Sequence, residues 1–154
     1  MSRSYLSAEQ RKQVAQSLSK VVAETYMVYL KTHGAHWNVE GPYFQSLHIL
    51  FEGQYTELWN AIDVVAERVR TLGEYVPASY GQFVKLSHVK ETEEVLDAMG
   101  MVRDLLQGHE TLIETLASAL KSAQEAGDET SAGLLTSRLE AHEKHAWMLR
   151  ATLK

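Results

Sequence analysis

Cysteine is wholly absent from this 154-residue chain, which excludes a disulfide framework, a thiolate metal site and an iron–sulfur cluster and fits a reducing compartment. Proline is nearly absent, with two in the whole chain, so little interrupts a helix once it has started. No apolar run is long enough to cross a bilayer, and the opening MSRSYLSAEQ has no apolar leader stretch. The chain therefore reads as a soluble, cytoplasmic protein without a membrane partner. Basic charge is scarce where a nucleic-acid-binding tail would carry it: only Arg3 precedes the first predicted helix and only Lys154 follows the last. The formal net charge is -5, and no internal repeat or low-complexity segment is evident. Apolar residues make up 45% of the chain, enough for one compact domain over residues 1–154 with a real core.

Those apolar residues recur with helical period. A first helix is predicted from Ser7, where Ser7 and Gln10 can form a capping box, through Val14, Leu18, Val21 and Val28 to about His36. A turn over 38–42 leads into a second helix with Pro42 near its first turn and a stripe running Phe44, Leu47, Phe51, Tyr55, Leu58, Ile62, Val65, Val69 and Leu72, stopped by Gly73. Residues 74–91 read as a long connection carrying one short helix around Tyr80 to Leu86. A third helix is expected over Thr92 to Ala126, with Val95, Met99, Val102, Leu105, Leu106, Leu112 and Leu116 inward. Gly127-Asp128 opens a fourth through Leu134, Leu135, Leu139, His142, Trp147 and Leu149. There are no strands. Four long helices with one long crossover between the second and third make an all-α, ferritin-like four-helix bundle rather than a simple up-and-down one.

The chemistry is concentrated in His36, His48, Glu52, Asp63 and Glu67. At about 100° per residue, His48, Glu52, Asp63 and Glu67 fall within one flank of the second helix roughly 100° wide. Fifteen residues separate His48 from Asp63, roughly 22 Å along the axis, beyond the reach of one metal ion. The four positions are symmetric about a point between Glu57 and Leu58, pairing 48 with 67 and 52 with 63. A two-fold axis there would lay a second copy antiparallel, so that His48 and Glu52 of one chain face the Asp63 and Glu67 positions of the other. A mixed histidine and carboxylate site of this kind suits iron, zinc or manganese.

Each of these residues also has a bland reading. Asp63 and Glu67 alone could be a solvated acidic face, although like charges at that spacing cost roughly 0.2 to 0.5 kcal/mol on a helix, relieved in part by Arg70. His36 alone could be a hydrogen-bonded interior histidine, and His33, one turn earlier, is either a supporting or an exposed residue. His142 and His145 read as structural, because HEKH is not the His-Glu-x-x-His zinc motif. Tyr55, Trp37 and Trp59 could simply pack, or serve as electron donors beside an oxidative site. Glu125, Asp128 and Glu129 either line an ion-entry pore or form a capped turn.

The segment HGAHWNVEGPYFQSLHILFEGQYTELWNAIDVVAERVRTLG, residues 33–73, closely resembles the signature of the Dps family of miniferritins, the DNA-binding proteins from starved cells. The ending KHAWMLR, residues 144–150, is similar to the close of that family's fourth helix. The resemblance spans essentially the whole chain. It implies a hollow homo-dodecamer that oxidises Fe(II), preferably with hydrogen peroxide, at ferroxidase centres on two-fold interfaces and stores the ferric mineral. His36 and His48 would be ligands from one subunit and Asp63 and Glu67 from its partner. The position of Glu52 is commonly aspartate in the family, so the chain departs there by one methylene. Zinc would be a competitor for the iron. Ordinary ferritins build their di-iron site inside one bundle with Glu-x-x-His motifs, and this chain has none, which leaves the bundle core to plain hydrocarbon. The alternative function is a nucleoid-associated, DNA-condensing protein with little redox role. A third is a bundle whose acidic flank is only a dimer salt-bridge network. Against the DNA reading, twelve copies at -5 apiece make a strongly negative cage, with Arg11 and Lys12 a weak basic footprint.

Overall fold

A computed structural model describes residues 4–154. Arg3, the one basic residue ahead of the first helix, lies outside them. The five helices are α1 (Ala8–Asn38), α2 (Phe44–Thr71), α3 (Tyr80–Leu86), α4 (Ala98–Ala126) and α5 (Glu129–Thr152). Four long helices form the bundle, and α3 rides on the crossover between α2 and α4, packed against α1. The closest pairings are α1 with α2 and α4 with α5, each joined by a short turn, with α1 also against α4.

Local chemistry sets the helix ends. Ser7 and Gln10 form the reciprocal capping box that satisfies two of the free amides of α1. Gly127 takes φ 77, the left-handed conformation that a side chain resists, and its amide bonds back to Ala123 and Gln124 to close α4. Asp128 then caps α5, accepting from the Ser131 backbone amide at 3.0 Å. It is fully buried and paired with Arg68 at 3.0 Å, so it belongs to the fold rather than to a pore. Burial pushes its carboxyl up, but bonds from Ser131, the Arg68 charge and the Tyr5 hydroxyl outweigh that and hold it below the usual range.

Two expectations need correction. The third long helix starts at Ala98 rather than Thr92, and Val95 is 72% exposed instead of inward. The Asp97 carboxylate accepts from the Gly100 amide and stops the helix there. Upstream, Lys31 Nζ holds the Lys90 carbonyl at 2.7 Å and the Thr92 hydroxyl at 2.8 Å, keeping that segment off the helix. Trp147 is likewise exposed, because His145, Ala146 and Leu149 occupy the inner face of α5.

The core has two apolar clusters. One contains Leu18, Val21, Val28, Leu58, Val65, Leu112 and Leu135; the other contains Ala35, Phe51, Leu105 and Leu149. Between them, along each helix, comes a buried polar residue: Thr32 on α1, Gln54 on α2, His109 on α4 and His142 on α5. The expectation of a plain hydrocarbon core is therefore wrong. Each of these polar residues stands one turn from other buried residues, Thr32 from Val28 and Ala35, Gln54 from Phe51 and Leu58, His109 from Leu105 and Leu112, and His142 from Arg138 and Ala146, so they keep the helical period of the buried face.

Candidate metal centre

The α1–α2 turn brings His36 and His48 face to face. Their rings stack at 3.7 Å with an interplanar angle of 13°. Each Nδ1 lies 2.7 Å from the main-chain carbonyl of the other residue. A carbonyl can only accept, so both Nδ1 atoms donate, and in the neutral rings both Nε2 atoms carry a free lone pair. Fixing one ring nitrogen on a carbonyl is how ligating histidines are oriented and their free nitrogen made more basic. The clasp also uses a loose end of the fold, since the His36 carbonyl lies in the last turn of α1, where carbonyls lack helical donors.

Glu52, Asp63 and Glu67 are exposed on α2. None has a side-chain hydrogen bond or ion pair among the described residues. Arg70, expected to relieve Glu67, instead donates to the Glu74 carbonyl at 2.9 Å and lies over the Tyr75 ring at 4.6 Å. Among the described residues of one chain, no three histidine or acidic side chains gather closely enough to hold a metal ion. Exposed Ile49, Trp59 and Val64 share the helix with these carboxylates, giving its outside a mixed apolar and acidic character.

Around the histidine pair stands an aromatic wall. Phe44 stacks on His48 at 4.9 Å, and Tyr55 meets His36 edge-on at 5.2 Å. His33 is half-buried, stacked on Tyr55 at 4.1 Å and tilted against Trp37 at 4.1 Å. Its Nδ1 meets the Tyr29 hydroxyl at 3.0 Å. Burial, then the nearby His36 charge, holds the His33 imidazole below its ordinary value.

Sequence reasoning missed a second polar assembly, inside the bundle. Arg138 reaches from α5 to Glu57 with both terminal nitrogens, the longer contact being 3.0 Å, and His145 Nε2 donates to Glu57 at 2.9 Å. Burial alone would push the Glu57 carboxyl up. Hydrogen bonds from His145 and Arg138, with their charges, more than offset this and hold it at about 2. The tautomers of the deeper pair follow from their partners. Arg138 can only donate, so His142 Nε2, at 3.1 Å, accepts. His142 Nδ1–H then donates to His109 Nδ1 at 2.9 Å, leaving the His109 Nε2–H buried without a partner. The one advance signal was the spacing of Arg138, His142 and His145, which puts all three on one helix face.

A family model described as a ferritin-like domain matches residues 15–154, which makes this a ferritin-like protein. The DNA protection during starvation protein 2 of Bacillus anthracis is 37% identical over 142 residues, covering 92% of this chain and 97% of that protein. An uncharacterized low temperature-induced protein of Nostoc is 43% identical over 151 residues, covering 97% and 84%. Among solved structures, a Dps protein of Vibrio cholerae superposes with a TM-score of 0.94 at 33% identity, covering 100% of this chain and 98% of that one. It is described as a member of a broad superfamily of ferritin-like diiron-carboxylate proteins. Within the ferritin-like superfamily the chain belongs to the Dps family.

Proposed function

We propose that this chain is the subunit of an iron-sequestering miniferritin. It takes Fe(II) as substrate, oxidises it preferably with hydrogen peroxide at centres shared by two subunits, and stores the ferric product in a cytoplasmic homo-dodecamer, limiting oxidative damage. The observation that carries this reading is the His36–His48 clasp, which commits both Nδ1 atoms to carbonyls and reserves both Nε2 lone pairs. The remaining ligands are Glu52 on the same chain and the Asp63 and Glu67 positions of a two-fold partner, all three exposed and without an ion pair among the described residues. Metal and partner together would relieve that acidic repulsion.

The donor set favours oxidation. Hard carboxylates stabilise Fe(III) more than Fe(II), while neutral imidazoles keep the total negative charge moderate. Zinc, at home with the same imidazoles and carboxylates, would compete. Two Fe(II) ions beside one peroxide supply both electrons that cleavage of its O–O bond needs, so hydroxyl radical is avoided.

Stopped-flow oxidation of Fe(II) by the metal-free protein, with peroxide and separately with oxygen, tests the reading. Catalysed oxidation, faster with peroxide, is expected, and a rate equal to the protein-free control would refute it. A second reading, DNA condensation, draws on the names of relatives such as the DNA protection during starvation proteins of Bacillus anthracis and Brevibacillus brevis. It has less support here, because Arg11 is occupied with the Leu6 carbonyl at 2.7 Å, leaving Lys12 to face solvent.

A further inference from the structure

Tyr29 and His33 stand one turn apart on α1, phenolic oxygen to Nδ1 at 3.0 Å. With the phenol donating, His33 is the Nε2–H tautomer and its Nδ1 is a base aimed at the phenolic proton. A tyrosine gives up an electron readily only if its proton can leave at the same time, since the phenol radical cation is a very strong acid. By contrast, the Tyr55 hydroxyl has no hydrogen-bond partner among the described residues.

The pair is also connected. The His36 ring is 5.2 Å from Tyr55, and Tyr55 is 6.2 Å from Tyr29. Beyond Tyr29 come Tyr26 at 5.6 Å and Trp59 at 5.3 Å, and Tyr80 lies 6.0 Å from Tyr26. Trp59 and Tyr80 are exposed. An unbroken aromatic string thus runs from the histidine clasp to the surface, and among its described phenols Tyr29 is the one bonded to an imidazole.

We propose that Tyr29 and His33 form a proton-coupled redox pair that supplies the missing electron when peroxide meets a centre holding a single Fe(II). This rests on the ferroxidase reading above. Fe(II) gives one electron and becomes Fe(III), and Tyr29 gives the second and becomes a neutral radical. The O–O bond of hydrogen peroxide breaks to give two hydroxide ions, and the phenolic proton passes to His33 Nδ1. Charge and atoms balance, and no hydroxyl radical is released. Burial, with Tyr55 and Tyr80 adding to it, raises the Tyr29 phenol above its ordinary value, so it rests protonated.

Two experiments on the assembled protein separate this pair from the iron chemistry. In the first, the metal-free protein is photo-oxidised with a ruthenium polypyridyl complex and persulfate, and the radical is followed by transient absorbance and EPR. Wild type should form a tyrosyl radical, Tyr29→Phe should lose it, and His33→Phe should slow its formation and remove the slowing seen in heavy water. Equal radical yield in Tyr29→Phe and wild type, or unchanged kinetics in His33→Phe, would overturn the pair. In the second, less than one Fe(II) per centre is mixed with excess peroxide and freeze-quenched for EPR. The tyrosyl signal should be present in wild type and lost in Tyr29→Phe, which keeps the ring and its packing. Persistence of the signal in that variant would place the radical elsewhere and overturn the link to the centre. If wild type oxidises no iron, the ferroxidase reading and that link fall together, and photo-oxidation alone decides on the pair.

Discussion

Acidification from pH 7 to pH 5 should weaken the fold through its buried histidines, and the loss should trace to His109. This imidazole is 0% exposed and held at about 3 against an ordinary 6.5. Burial is the main cause; the His145 charge adds to it, Glu57 pulls the other way, and Arg138 lowers it again. The geometry agrees, since protonating Nδ1 would set two donors against each other across the 2.9 Å contact with His142. Because the folded value lies below the unfolded one, the unfolded chain takes up a proton near 6.5 that the folded chain refuses until about 3. Stability is therefore fully present above 6.5 and falls as pH drops through that window. At about 1.4 kcal/mol per unit the full loss is about 5 kcal/mol, of which about 2 kcal/mol is gone by pH 5. That is a large share of the roughly 5 to 15 kcal/mol available to a typical domain. His142, held well below its ordinary value mainly by burial, adds a loss of the same sign. The test compares urea unfolding of wild type and His109→Gln by circular dichroism at one fixed subunit concentration, because assembly makes stability concentration-dependent. Glutamine offers an acceptor to His142 Nδ1–H but cannot titrate. The stability gap between wild type and variant should shrink by about 2 kcal/mol between pH 7 and 5, with other titrating groups cancelling. Parallel pH profiles would refute the assignment.

Four further outcomes follow from the same geometry. Arg138→Met should cost about 2 to 4 kcal/mol in urea unfolding, somewhat less than a fully buried pair because the Glu57 side chain is 37% exposed. Adding Glu57→Gln should recover part of that, whereas a larger loss in the double variant would contradict the pairing. Asp128→Ala should cost about 2 to 3 kcal/mol by removing the α5 cap and the Arg68 partner, with a loss near zero showing the cap to be dispensable. His48→Ala and Asp63→Ala homo-oligomers should each lose most peroxide-driven iron oxidation, and co-refolding the two should restore about a quarter of wild-type sites, since half the dimers are mixed and each has one intact site. No recovery, with mixed dimers verified by mass spectrometry, would rule out a shared centre. Duplex DNA should show no mobility shift at about 0.15 M salt with chelator present, and tight binding there would reverse the reading of the surface.

The long helices were legible because their signals are local. Ser7 with Gln10 marked one start, Gly127 marked one stop, and the α2 stripe from Phe44 to Leu72 sits on the buried face where it was expected, apart from exposed Phe44 and half-buried Tyr55 and Ile62. The start of α4 was not legible, since Thr92 to Leu96 has helical spacing, and what keeps it off the helix is the Asp97 cap together with contacts from Lys31 and Asp104 that only the fold supplies. The polar layer escaped for the opposite reason. Gln54, His109 and His142 share the phase of the buried stripe, but their polar partners are not evident until the fold brings Glu57 and Arg138 together. For the candidate centre, spacing gathered His36, His48, Glu52, Asp63 and Glu67, but the crosswise carbonyl clasp depends on the α1–α2 turn and had no sequence signal.

The polar layer bears on why a cation would settle on the flank of this bundle and not in its middle. Di-iron carboxylate bundles place carboxylates from all four helices and two imidazoles around their metals. Here the corresponding interior offers Thr32, Gln54, the imidazoles of His109, His142 and His145, and one carboxylate, Glu57, already matched by a guanidinium and bonded by His145. Arginine cannot shed its proton in a protein, so the layer is close to neutral as it stands. A divalent ion entering it would bring uncompensated charge into a low-dielectric interior, at a cost of several kcal/mol. Outside, Glu52, Asp63 and Glu67 on α2, without ion pairs among the described residues, leave negative charge that a cation would relieve. Glu57 sits on the same helix, at the midpoint between the His48 and Asp63 halves. A substitution that frees Glu57 from Arg138 would therefore perturb α2 between the two proposed half-sites, without any contact to a metal bound on the flank.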